Sequence, residues 1–72
     1  MASNKSDSAR KELGVKLKAA REKAGLTQAE VAAASGVHVN YYARIERGEE
    51  NPSFEKIQAI MKALNVKSID LS

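Results

Sequence analysis

The sequence predicts an all-α fold, a compact domain of four to five helices in which the second and third are short and joined by a tight turn. Three observations carry this reading. Apolar residues recur at helical spacing early in the chain and again late in it. No stretch alternates apolar and polar residues as a half-buried strand would. Capping residues and glycine stops fall at the ends of the periodic runs. With 72 residues, one domain around one modest core is the most the chain can build.

Residues 1–7 (MASNKSD) are polar and without periodicity, and they are expected to form a tail ahead of a domain over 8–72. The first helix is expected from Ser8, as its N-cap, to Ala24, with Gly25 as the stop. Leu13, Leu17, Ala20 and Ala24 share one of its faces. Gly14 reads as a weak point in that helix, costing up to about 1 kcal/mol relative to alanine.

The second helix is expected over Gln28 to Ser35. Thr27 and Glu30 have the spacing of a capping box, in which each side chain satisfies an orphan backbone donor. Gly36 can take the positive φ that a sharp turn needs. The third helix is expected over Val39 to Arg47, stopped by Gly48. Val31, Val37, Tyr42 and Ile45 then face inward, and the small Ala32 allows the two helices to cross closely. His38, Val39, Asn40, Ala43, Arg44 and Arg47 are left facing outward.

The fourth helix is expected over Phe54 to Leu64, after Pro52 and a Ser53 N-cap. Phe54, Ile57, Ile60, Met61 and Leu64 fall on one apolar stripe, and Phe54 and Met61 are assigned to the core. A fifth helix could begin at Ser68.

Composition narrows the chemistry. The chain has no cysteine and one histidine, so a thiolate metal site and a disulfide framework are excluded. No acid cluster stands at metal or catalytic spacing, so no cofactor, no metal and no enzymatic reaction is expected. Nothing in the sequence indicates a small-molecule ligand. No run approaches the roughly 18 apolar residues of a membrane span, and a cytoplasmic protein is expected. The net charge of +3 is unevenly spread. Residues 1–25 hold seven Lys or Arg against three acids, whereas residues 49–72 hold three lysines against four acids. That permits a polyanionic partner without demanding one.

The segments AAREKAGLTQAEVA (19–32), SGV (35–37), YYARIERG (41–48) and NPS (51–53) together resemble the helix-turn-helix family of lambda repressor and Cro. The likeness covers about three quarters of the chain, from about Leu13 to Val66. It implies that the third helix lies in the major groove of double-stranded DNA, with residues near its N-terminus facing base edges. By position, Val39, Asn40, Ala43 and Arg44 match the family's base-reading sites. Arg44 suits guanine O6 and N7, and Asn40 suits adenine; Val39 and Ala43 offer only apolar surface to a thymine methyl. A phosphate clamp remains the other reading of Arg44, and helix capping that of Asn40.

Phosphate contacts are expected from Gln28 at the start of the second helix, and from His38, Tyr41, Arg47, Asn51 and Ser53. For Tyr41, packing over the second helix is the competing reading; for His38 it is a capping role. The resemblance also implies an ion pair between Arg21 and Glu46 that ties the first helix to the third. Tyr42 stands where relatives more often carry Ile or Val, so its ring must find room in the core or turn its hydroxyl out. Glu49 and Glu50 stand in a loop where many relatives are basic. They are expected to lie near the DNA backbone and to oppose binding.

A homodimer is therefore expected, formed through Ile60, Met61, Leu64, Val66, Ile69 and Leu71 and reading a palindromic operator. The leading reading is a sequence-specific transcriptional regulator, a repressor or autoregulator. The alternative keeps the fold but binds a protein partner, as an antitoxin or adaptor would, with weak or no DNA binding.

Overall fold

In the computed structural model, which describes residues 5–66, four helices follow one another along the chain: α1 (Lys5–Ala24), α2 (Gln28–Ser35), α3 (Val39–Glu46) and α4 (Phe54–Ala63). A fifth helix at Ser68 would lie outside the described residues. α1 starts earlier than its sequence suggested. Ser8 lies inside the helix and does not cap it, and residues 5–7 belong to the first turn instead of a tail. Asp7 supplies negative charge to that turn, where the helix dipole favours it, and it is ion-paired with Arg10 one turn on.

The later helix starts follow their capping chemistry. Thr27 Oγ1 accepts from the Glu30 amide at 3.1 Å, and Glu30 Oε1 accepts from the Thr27 amide at 2.8 Å. This closes the capping box that starts α2. Gly36 ends it with φ of 75°. Ser53 Oγ accepts from the Lys56 amide at 3.2 Å and starts α4. α3 ends at Glu46 and α4 at Ala63, each one residue earlier than the sequence suggested.

The buried core is built from Leu13 and Leu17 of α1, Val31 and Ala32 of α2, Tyr42 and Ile45 of α3, and Ile60 and Leu64 at the end of α4. α2 packs on both α3 and α4, and α1 packs on α3. Phe54 is a correction to the sequence reading. Its side chain is 68% exposed, because the stripe of α4 that meets the core runs from Ile57 through Ile60 to Leu64, and Phe54 lies one turn before it. Met61 is only half-buried, Ala20 is half-buried and Ala24 is exposed.

Ile60 and Leu64 are a second correction. They are 0% and 4% exposed within a single chain, so they close its own core and offer no surface for dimerisation. Among the residues expected at a dimer interface, Met61 and Val66 keep accessible surface, while Ile69 and Leu71 lie outside the described residues.

Gly14 is a third correction. A Cβ there would stand 2.6 Å from the Ile45 carbonyl oxygen and closer still to that of Glu46. Gly48, with φ of +77°, repeats the arrangement from the other side, since a Cβ there would stand 2.7 Å from Lys11 Cγ. The backbone of α1 therefore rests on the C-terminal end of α3, and Gly14 is the condition for that contact.

Candidate nucleic-acid interface

α3 is amphipathic in the sense that matters for a surface helix. Tyr42 and Ile45 are buried, and the opposite side carries Val39, Asn40, Ala43 and Arg44. Val39 with Ala43 and Asn40 with Arg44 are each four residues apart, so the four side chains share one face. Val39 is 37% exposed and Asn40 is exposed, while Ala43 and Arg44 are half-buried. The Asn40 carboxamide makes no hydrogen bond to another described residue and is open to a ligand.

The start of α3 is held by a histidine. His38 Nδ1 accepts the Asn40 backbone amide at 3.1 Å. This bond consumes the Nδ1 lone pair, so the neutral ring carries its proton on Nε2 and presents a donor outward. His38 is thus a cap first, and any phosphate contact must come from its far side.

Two acid–base contacts decorate the far end of α3. Arg44 Nε donates to Glu50 Oε2 at 2.9 Å, with the side chains 42% and 31% exposed. Arg47 uses Nε and Nη2 on the two carboxylate oxygens of Glu49, at 3.1 and 3.2 Å. The two loop acids, read from sequence as opposing the DNA backbone, are partners of Arg44 in α3 and of Arg47, which caps its end. Arg44 Cζ also lies 6.0 Å from the centroid of the Tyr41 ring, and Lys56 Nζ lies 5.6 Å from the same centroid. Tyr41 is half-buried and packs against the core, so its ring serves as a platform whatever its hydroxyl contacts.

Gln28 opens α2, but its side chain is engaged: Nε2 donates to Glu46 Oε1 at 2.9 Å. Its backbone amide and that of Ala29 belong to the first turn, where helix amides lack intrahelical partners and suit an anion. Asn51 and Ser53 are exposed beside the start of α4, and Ser53 Oγ is already an acceptor in the cap. Lys56 is an exposed cation of this surface that sequence reasoning missed; its spacing from Ser53 placed it only in the first turn of α4.

Beneath this surface lies a buried ion pair. Arg21 Nε and Nη2 meet Glu46 Oε2 and Oε1 at 2.7 and 3.1 Å, and Nη1 donates to the Leu26 carbonyl at 2.9 Å. The side chains are 12% and 3% exposed. With Gln28 on the same carboxylate, the pair joins α1, the α1–α2 turn, α2 and α3. Burial pushes the Glu46 carboxyl up, but the Arg21 guanidinium, the neighbouring Tyr42 hydroxyl and the Gln28 amide outweigh it, and the net direction is down.

Tyr42 finds room in the core. Its ring is 0% exposed, and its hydroxyl is buried with no hydrogen-bond partner. Burial first, and then the nearby Glu46 carboxylate, push its pKa up from the usual 10.0. The folded state therefore holds this proton more tightly than the unfolded chain does. That contribution to stability is complete below 10.0 and is lost as pH rises above it. Tyr42→Phe is expected to raise stability at neutral pH by about 1 kcal/mol, because it removes an unpaired buried hydroxyl. It should also remove this component of alkaline destabilisation. Urea denaturation at neutral and alkaline pH tests both, and a clear loss at neutral pH would reveal a partner for the hydroxyl.

Among the described residues no helix is long and apolar enough to cross a membrane, and no three His, Cys, Asp or Glu side chains converge as a metal site would require.

Residues 17–71 match the helix-turn-helix family. The chain is 37% identical over 62 residues to a protein of Sinorhizobium fredii described as an uncharacterized HTH-type transcriptional regulator, y4dJ, spanning 86% of this chain and 80% of that protein. Its structure is similar to that of the clp gene regulator ClgR from Corynebacterium glutamicum, with a TM-score of 0.79 and 34% identity over 81% of this chain and 74% of that one. It is similar also to the restriction-modification controller protein C.AhdI from Aeromonas hydrophila, with a TM-score of 0.81 and 30% identity over 83% of this chain and 91% of that one. Sequence, fold and relatives agree: the chain belongs to the helix-turn-helix family of DNA-binding transcriptional regulators.

Proposed function

We propose that the protein is a sequence-specific regulator that binds double-stranded DNA as a homodimer on a palindromic operator, with α3 in the major groove, and acts as a repressor or autoregulator in the cytoplasm. The observation that carries this reading is the outward face of α3. Val39, Asn40, Ala43 and Arg44 share it, while the opposite face supplies Tyr42 and Ile45 to the core.

The roles divide by chemistry. Arg44 reads a guanine and Asn40 an adenine, with Val39 and Ala43 against thymine methyls. The first-turn amides of α2, His38 Nε2, Tyr41, Arg47, Asn51 and Ser53 surround this face and meet phosphates. A dimer would use the side of α4 that its core leaves free. There a shallow groove is lined by Gln58, Met61, Lys62, Asn65 and Val66. Two copies would place their recognition helices about 34 Å apart, one turn of duplex. The likeness to a restriction-modification controller, matched over 91% of its length, supports a regulator of this size.

Selection from random duplex DNA, with wild type and Arg44→Ala side by side, tests the proposal. A two-fold symmetric motif is expected, and the variant should relax one base pair per half-site by about 1–3 kcal/mol. Affinity should fall steeply with salt as phosphate contacts release counterions. No enriched motif at low salt would overturn this reading in favour of a protein-binding module, which the pairing of Arg44 and Arg47 with acids would then explain.

A further inference from the structure

The acid that holds Arg44 is in an informative place. Glu50 takes the Nε edge of the guanidinium at 2.9 Å, and the Tyr41 ring lies 6.0 Å from its carbon. An arginine pairs with guanine O6 and N7 through two parallel N–H groups. With Nε occupied, the groups left are those on Nη1 and Nη2, at the tip of the side chain. We propose that Glu50 is a positioning residue for base recognition: it fixes the Arg44 guanidinium so that its terminal nitrogens face the groove. The inference rests on the base-reading role of Arg44 proposed above.

The loop is built to deliver this acid. After α3, the Gly48 amide donates to the Ile45 carbonyl at 3.0 Å, and the Glu49 amide donates to the carbonyl of Arg44 itself at 2.9 Å. The chain thus folds back over the end of the helix through the positive φ of Gly48. Two residues beyond Glu50, the buried Pro52 anchors the other side of the loop. Glu50 is held between a backbone hydrogen bond and a buried ring, so the carboxylate meets Arg44 at a fixed point. A long side chain with several rotatable bonds then loses less freedom when it binds a base.

This arrangement acts in two opposite directions. A carboxylate beside the groove repels phosphate and weakens binding to every sequence. The same carboxylate sharpens the choice of base by holding Arg44. Affinity and selectivity are therefore set against each other in one residue. Glu49 provides the internal control. It carries the same charge next door, but its partner is Arg47, outside the base-reading set.

The test compares wild type, Arg44→Ala, Glu50→Ala, Glu50→Gln and Glu49→Gln in selection from a random duplex library. It is followed by titration of the selected duplex, its single-base variants and a random duplex. Glu50→Ala is expected to bind random duplex more tightly than wild type. It should lose about 5-fold or more of discrimination at the same base pair that Arg44→Ala relaxes, and at no other. Glu50→Gln, whose carbonyl can still accept from Nε, should gain affinity and keep most of the discrimination. Glu49→Gln should gain affinity with the base preferences unchanged. If Arg44→Ala relaxes a position and Glu50→Ala leaves it as sharp as wild type, the positioning role is overturned and Arg44 keeps its base. It is overturned equally if Glu49→Gln matches Glu50→Ala, because charge alone would then suffice. If Arg44→Ala relaxes nothing, the base-reading role itself is wrong and the positioning role falls with it.

Discussion

Replacing Gly14 with alanine is expected to destabilise the domain by more than about 3 kcal/mol, at the upper end of overpacking effects. Helix propensity alone argues the reverse, since alanine is favoured over glycine by about 1 kcal/mol inside a helix. Distance decides between the two effects. The new methyl would stand 2.6 Å from the Ile45 carbonyl oxygen and nearer still to that of Glu46. The obstacle is backbone at the end of α3, so no side-chain rotation can clear it. α1 would have to lift from α3, exposing Leu13 and Leu17 and pulling Arg21 away from Glu46. Small domains hold about 5–15 kcal/mol in total, so the variant should lose a large share of its stability and melt at least about 12 °C lower. Thermal melting followed by circular dichroism is the check. A melting temperature equal to or above that of wild type would show that the two helices do not meet at this distance.

Removing Glu46 should have an effect of similar size for an electrostatic reason. Glu46→Ala leaves the Arg21 guanidinium, 12% exposed, with only the Leu26 carbonyl, and strips Gln28 of its acceptor. Breaking a buried pair from one side typically costs about 3–5 kcal/mol, because the surviving charge is left without compensation. Replacing both partners, as in Arg21→Met with Glu46→Leu, should recover much of that loss. Urea denaturation of Arg21→Met, Glu46→Leu and the double variant measures the coupling directly. Additive losses would show that the two charges do not act together. Acid adds a second readout. The Glu46 carboxyl is held below its usual 4.5, so its contribution to stability is present above that pH and fades as pH falls beneath it. The double variant should lack this part of the acid sensitivity.

Local signals at the later helices were read well, whereas Ser8, read as the cap of α1, lies inside that helix. The Thr27–Glu30 capping box, the glycine after α2 and the serine before α4 each act within four residues, and such signals survive folding unchanged. The other failures depend on distance across the molecule. Gly14 reads as a defect in its own helix because the carbonyls it must clear belong to residues about thirty positions away. The stripe on α4 shows which residues share a face, but not how far the neighbouring helices extend to cover it. Phe54 was therefore placed inside, while Ile60 and Leu64 were offered to a partner. Glu50 was read by its charge alone. Its pairing with Arg44 depends on a loop that folds back over the helix, and no periodicity announces such a turn. The Arg21–Glu46 contact spans 25 positions, and only the family resemblance suggested it.

The support under α3 comes from both of its turns. Its last turn carries the buried Ile45 and Glu46, lies against the backbone of α1 and is tied to three other segments of the chain. Its first turn sends the fully buried Tyr42 into the core, while Val39 and Asn40 stand at the surface behind the His38 cap. The helix is thus held at both ends, and what differs along it is how far its outward side chains stand clear of the core. Exchanging the exposed Val39 and Asn40 would alter the surface that α3 presents while leaving the ion pair and the core alone.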